Sequence, residues 1–168
     1  MKTKTKAIHF LQLNTNHSNT IGHTLLNELV KEADVLLINE PWFGNIGNEI
    51  KGPVAHPSWM PILPVTHLLN DTIPRAMAYI QKRDDFIVTL RSDLAHNADM
   101  QILEIAQPPH PKTLIINIYN QQSNTGACQW TFECLMENMS LPTNVPSIIT
   151  DDLNMHHPMW GGDGVPAT

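Results

Sequence analysis

Asp152 and Asn154 end an apolar run that begins at Ser147, in the stretch SIITDDLNMHHPMWGG. Along an extended segment, residues two apart point the same way, so Asp152 and Asn154 can face one site while Asp151 and Leu153 face away. A carboxylate and an amide so placed can hold one water. The carboxylate accepts its proton and the amide fixes its position. The same spacing also suits an Asx-turn, and the residues alone leave both readings open. Glu40, in INEPW, ends a second apolar run. Its carboxylate is a hard oxygen ligand suited to Mg2+, an ion that stabilises charge on a phosphoryl oxygen and its leaving group; the plainer role of a Glu-Pro pair is a turn. Asn14 with Asn16, and Tyr119 with Asn120, end two further apolar runs. Taken singly, the asparagines read as turn formers and Tyr119 as a half-buried strand tyrosine. In open α/β sheets ligands collect where strands end, so four such ends are a candidate site if the fold brings them together.

Other chemistries find less support. His156 and His157 are adjacent, and neighbouring residues rarely ligate one ion; no cluster of Cys or His has zinc-like spacing. The pair reads as loop structure with Trp160 packing nearby. The sequence contains no P-loop, no G-x-S-x-G and no G-x-G-x-x-G.

The elements that would carry these ends follow from hydrophobic periodicity. Residues 7–14 (AIHFLQLN) read as a strand. Ile21, Leu25, Leu26, Leu29 and Val30 then recur at helical spacing, with Asn19 or Thr20 as cap and Lys31 in the last turn. Residues 34–39 (DVLLIN) form a short continuous apolar run, as expected of a strand buried on both faces. This strand–helix–strand order predicts a βαβ-like start. Residues 43–75, rich in Gly and Pro, read as an irregular loop. Strands are predicted at 76–81, 86–90, 100–105, 113–119 and 146–150, and the alternation in MQILEI predicts one wetter face for the strand at 100–105. Cys128, Phe132, Leu135, Met136 and Met139 mark a second amphipathic helix. Few helices set between groups of strands favour an α/β fold of two packed sheets with outer helices, with a single doubly wound sheet as the alternative.

Composition narrows the function classes. A chain of 168 residues fits one domain with a real core. The formal net charge of −6 counts against strong unaided binding to nucleic acid and suits a site that holds a cation. The basic run Lys2, Lys4, Lys6 reads as a solvated tail. On a helix Cys128 and Cys134 would lie about 240° apart, so no disulfide joins them, and two thiols suit a reducing compartment. No signal peptide is evident, and no apolar run approaches the roughly 20 residues that span a bilayer. The sequence predicts a soluble intracellular protein with no membrane association.

In order, the segments LQLNTNHS, ADVLLINEPW, RAMAYIQK with DMQILEI, NIYNQQS and ITDDLNMHHPMWGG resemble the endonuclease/exonuclease/phosphatase superfamily. More narrowly they resemble the endonuclease domain at the front of non-LTR (LINE-type) retrotransposon reverse transcriptases. The resemblance covers nearly the whole chain and implies a four-layer α/β sandwich, with residues 1–168 as one partial domain. It implies Mg2+-dependent hydrolysis of a DNA phosphodiester by in-line attack of water, with Mn2+ as a substitute ion. It implies a reverse transcriptase domain in the parent polypeptide, and residence in the nucleus or cytoplasm. By the same resemblance Asp152, Asn154 and Tyr119 are catalytic, Asn14 and Asn120 bind substrate, and Glu40 binds the metal. Three departures stand out. Asp151 replaces the glycine that precedes the family's aspartate, Asn39 replaces a frequent glutamine, and no terminal S-D-H segment occurs. The expectation is therefore a fold incomplete at its C-terminus and a fragment of weak or no activity. The alternatives are a degenerate non-catalytic fragment, or a phosphatase or phospholipid phosphodiesterase of the same superfamily.

Overall fold

The computed structural model describes residues 6–46, 50–65, 72–95, 98–121, 132–133 and 140–152. They form an α/β fold rich in sheet, with one α-helix. In chain order the elements are β1 (Phe10–Asn14), α1 (Asn19–Glu28), β2 (Val35–Asn39), β3 (Phe43–Ile46), β4 (Ile50–Pro53), β5 (Trp59–Ile62), β6 (Ala76–Gln81), β7 (Ile87–Leu90), β8 (Met100–Ala106), β9 (Thr113–Tyr119) and β10 (Ser147–Asp152).

Two four-stranded sheets carry the structure, in the orders β1-β2-β6-β5 and β10-β9-β8-β7, and β3 pairs with β4 in a separate hairpin. The pair β1–β2 is parallel and joined through α1, which makes the expected βαβ start. β10 runs parallel to β9, whereas β2–β6 and β8–β9 are antiparallel. A single doubly wound sheet is thereby overturned.

Alternating side chains build three apolar layers. Val35, Leu37, Ala78 and Ile80 of the first sheet meet Leu103, Ile105 and Ile115 of the second, so the sheets pack face to face. The opposite side chains of the first sheet, Leu36, Ile38, Met77 and Tyr79, pack with Leu26 of α1 and Trp59. The Trp59 indole also donates to the Leu26 carbonyl at 2.9 Å, tying β5 to the helix. On the outer face of the second sheet, Met100, Ile102, Leu114, Ile116 and Ile118 are covered by Leu94, Phe132, Leu141 and Val145.

Ser18, one residue earlier than expected, caps α1 by accepting from Ile21 N at 3.3 Å, and the helix ends in a tighter turn at Leu29–Lys31. Three short strands occupy part of the segment expected to be irregular; their four-residue lengths and Gly or Pro content hid them. β8 does not have the wet face its alternation suggested. It lies between two strands, and Gln101 is buried, donating to the Ile62 carbonyl of the other sheet at 2.8 Å. The helix expected around Cys128–Met139 lies largely outside the described residues, as do both cysteines; Phe132 and Glu133 are helical.

Candidate active site

The registers align the strand ends. Asn14 pairs with Asn39, Asn39 with Ala76, and Asp152 with Tyr119. The C-terminal ends of β1, β2, β9 and β10 therefore lie with the starts of β6 and β8 on one rim. Buried amides lock the two sheets at that rim. The Asn39 side chain donates to the Ile118 carbonyl at 2.6 Å and accepts from Gln12 at 3.0 Å. Asn117 reaches the other way, donating to the Met77 carbonyl at 3.1 Å. Each amide thus spans from one sheet to the other, where an apolar side chain would fix no register.

The turns after β1 and β2 are knitted together. Thr15 N donates to the Asn39 carbonyl at 2.9 Å, and His17 N to the Glu40 carbonyl at 2.8 Å. Thr15 Oγ1 also donates to the Glu40 carbonyl, at 2.8 Å. Asn16, His17 and Glu40 all adopt left-handed backbone conformations, with φ of 46°, 53° and 47°. For side chains other than glycine this costs on the order of 1 kcal/mol each, and such residues concentrate where a side chain must be aimed. At Glu40 the turn delivers the carboxylate to the rim.

Two close contacts connect the sheets there. The Tyr119 hydroxyl donates to Glu40 Oε1 at 2.6 Å, and the Asn14 amide donates to Asp152 Oδ2 at 2.6 Å. The Asn14 side-chain oxygen, Oδ1, accepts from Asn16 N at 2.7 Å, which holds the amide in an Asx-turn. Burial pushes the Glu40 carboxyl up, but bonds from Tyr119 and Asn14 and the nearby charges of His17 and Arg75 outweigh it and leave the group below its ordinary range. His17 Nε2 lies 3.8 Å from Glu40 Oε1. An open depression of about 320 Å³ beside the contact is lined by Gln12, Leu13, Asn14, Asp151 and Asp152.

Of the residues expected to act, Glu40, Tyr119, Asn14 and Asp152 therefore meet at one rim. Asn154 lies outside the described residues, as do His156, His157 and Trp160. Asn120 is buried; its backbone N–H donates to the Asp152 carbonyl at 3.0 Å and its side-chain oxygen accepts from Phe132 N at 3.0 Å. Asp151 pairs in register with Ile118, on the apolar outer side of the second sheet. Both its carboxylate oxygens are buried without a hydrogen-bond partner. Burial first, and the adjacent Asp152 charge second, push its carboxyl up to about 6.

Arg75 and Asp99 carry no sequence motif, and both belong to this rim. They stand just before β6 and β8 and form a two-pronged ion pair: Arg75 Nε donates to Asp99 Oδ1, and Arg75 Nη2 to Asp99 Oδ2 at 2.9 Å. Opposite charges immediately ahead of two strands that run antiparallel to the site strands were the available signal.

Among the described residues, no three His, Cys, Asp or Glu side chains gather into a ready-made metal cluster. Mg2+ does not require one, because it commonly uses one or two carboxylates and completes its shell with water and phosphate oxygens. Glu40 offers one such carboxylate at the rim, with the Tyr119 hydroxyl and the His17 imidazole beside it.

Residues 113–165 match a family model described as endonuclease-reverse transcriptase. The matched stretch contains β9, Tyr119, Asn120, β10 and Asp152. No curated protein matches the sequence. The match carries half of the rim assembled above, and it supports a relationship of the chain to LINE-type endonucleases of the endonuclease/exonuclease/phosphatase kind.

Proposed function

We propose that the chain is the endonuclease portion of a retrotransposon protein and hydrolyses a DNA phosphodiester, weakly in this form, within a four-layer sandwich of the superfamily type. The observation that carries the reading is the paired contact across the two sheets, Tyr119 to Glu40 and Asn14 to Asp152. Along one rim it joins a carboxylate to a phenol and an amide to a second carboxylate.

Each group has a task in such a hydrolysis. Asp152 accepts the proton of the attacking water, and Asn14 orients the Asp152 carboxylate through its amide. Asn154, two residues on, positions that water. Glu40 holds Mg2+, or Mn2+ in its place, with Tyr119 fixing the carboxylate. When bound, the ion neutralises charge on the phosphoryl oxygens and the leaving oxygen. Tyr119 also lies beside the scissile phosphate, and Asn120 braces the strand end beneath it. DNA is the substrate, and a reverse transcriptase domain in the parent protein uses the 3′-hydroxyl left at the nick.

Substrate competition tests the assignment. Purified protein with Mg2+ should nick supercoiled plasmid and leave a phosphoinositide and sphingomyelin intact. Glu40→Gln should lower nicking by about a hundredfold or more, the scale expected when a charge-stabilising group is lost. Hydrolysis of the lipid substrates with plasmid untouched would overturn the reading.

A further inference from the structure

Arg75 and Asp99 belong to a closed circuit of contacts that runs through both sheets. Glu40 N donates to the Arg75 carbonyl at 2.9 Å. The Arg75 guanidinium grips the Asp99 carboxylate with two N–H groups. The Asp99 carbonyl accepts from Tyr119 N at 2.8 Å. The Tyr119 hydroxyl then returns to Glu40 Oε1 at 2.6 Å. Two further bonds, from Arg75 N at 2.8 Å and Ala76 N at 3.1 Å to the Ala98 carbonyl, hold the same two corners together.

We propose that Arg75 and Asp99 are positioning residues, whose forked ion pair sets the Glu40 carboxylate against the Tyr119 hydroxyl. Glu40 and Tyr119 stand on different sheets, and each takes its backbone position from one member of the pair. The fork fixes direction as well as distance, which a lysine at position 75 cannot do. The Asp99 side chain is only 11% exposed, so it has little water to exchange the guanidinium for. The Arg75 charge also acts on Glu40 directly, as one of the influences that keep it ionised. The catalytic consequence rests on the nuclease reading; the geometric one does not.

Two readouts separate those claims. The chain has two tyrosines, and Tyr79 sits apart with its hydroxyl on the Val54 carbonyl at 2.9 Å. With ring-labelled 13C-tyrosine, the Cζ signal of Tyr119 in Arg75→Lys and Asp99→Asn should move at least halfway toward its position in Glu40→Gln, with that of Tyr79 unchanged. Both substitutions keep side-chain size close to the original; Arg75→Lys keeps the opposite charges, and the guanidinium that Asp99→Asn leaves is 37% exposed to water. A Tyr119 signal that stays at its wild-type position in both folded variants would overturn the proposal, whether or not the protein cleaves DNA. In the nicking assay, Arg75→Lys should lower kcat roughly tenfold to a hundredfold, the scale of a misplacement near 1 Å, with KM within about twofold. A raised KM with unchanged kcat would mean that Arg75 holds substrate instead, and would also overturn it. A wild-type protein that does not nick at all would fail the nuclease reading while the tyrosine signal still decides the circuit.

Discussion

Asp151 is the residue whose chemistry is most out of place. Its carboxyl faces the apolar side of β10 with no hydrogen-bond partner, next to the Asp152 charge. Its folded-state value, about 6, stands above the 3.8 of the free group. Between those values the folded chain keeps a proton that the unfolded chain releases, so stability falls as pH rises through this window and the loss is complete above about pH 6. Asp151→Asn should therefore be more stable than the parent at pH 7, by on the order of 1 kcal/mol after discounting for solvent screening. The gain should vanish below about pH 4, where both states of the parent are protonated. Urea unfolding at pH 4 and pH 7 measures both ends. A gain of equal size at the two pH values would contradict the assignment. Among the residues at the rim, Asp152, Glu40 and Tyr119 were legible because each ends an apolar run with a polar group. Arg75, Asp99 and His17 were not, because their partners lie 24, 24 and 23 positions away in sequence, next to the ends of other strands.

At the level of elements, the site is a matter of register. The Asn39 amide bridges from β2 to the Ile118 carbonyl of β9. Asn39→Ala leaves buried polar groups without that partner, and should destabilise the fold by about 1–3 kcal/mol in urea unfolding. Nicking should fall with it, because Glu40 follows directly on Asn39. A variant as stable as the parent would mean the amide bridge contributes nothing. The βαβ start, the buried β2 and the strands β6, β8, β9 and β10 were readable from period and length. β3, β4 and β5 were hidden, since four-residue strands containing Gly or Pro show no period long enough to detect. Gln101 misled for a related reason. Alternation signals polarity, and a buried amide whose N–H donates across the sheets keeps the polarity without the water. The assignment of strands to two sheets instead of one rests on pairings that no local pattern encodes.

The whole molecule is acidic, with 10 Lys and Arg against 16 Asp and Glu. Its arginines, Arg75, Arg83 and Arg91, are each held by carboxylates, and Lys112 is held by Glu104. With carboxylates in excess and these four cations tied to them, affinity for DNA should be weak and depend on the divalent ion. The slope of log affinity against log salt should be no steeper than about −3, corresponding to roughly three phosphates. Fluorescence anisotropy with a labelled duplex between 50 and 200 mM salt, with Mg2+ and with chelator, measures it; a slope near −6, or binding unchanged by the chelator, would contradict the electrostatic account. Among the described residues, no helix is long and apolar enough to cross a membrane.

The central claim is that the joined strand ends of the two sheets hydrolyse phosphodiesters, and plasmid nicking in Mg2+ tests it most directly. Parent protein and Asp152→Ala, each shown to be folded, should be compared at equal concentration on supercoiled DNA. The parent should nick slowly and only with Mg2+, and Asp152→Ala should nick more slowly by a factor on the order of 10² or more, the effect of removing a general base. Equal rates in the two proteins, or no nicking by the folded parent, would contradict it.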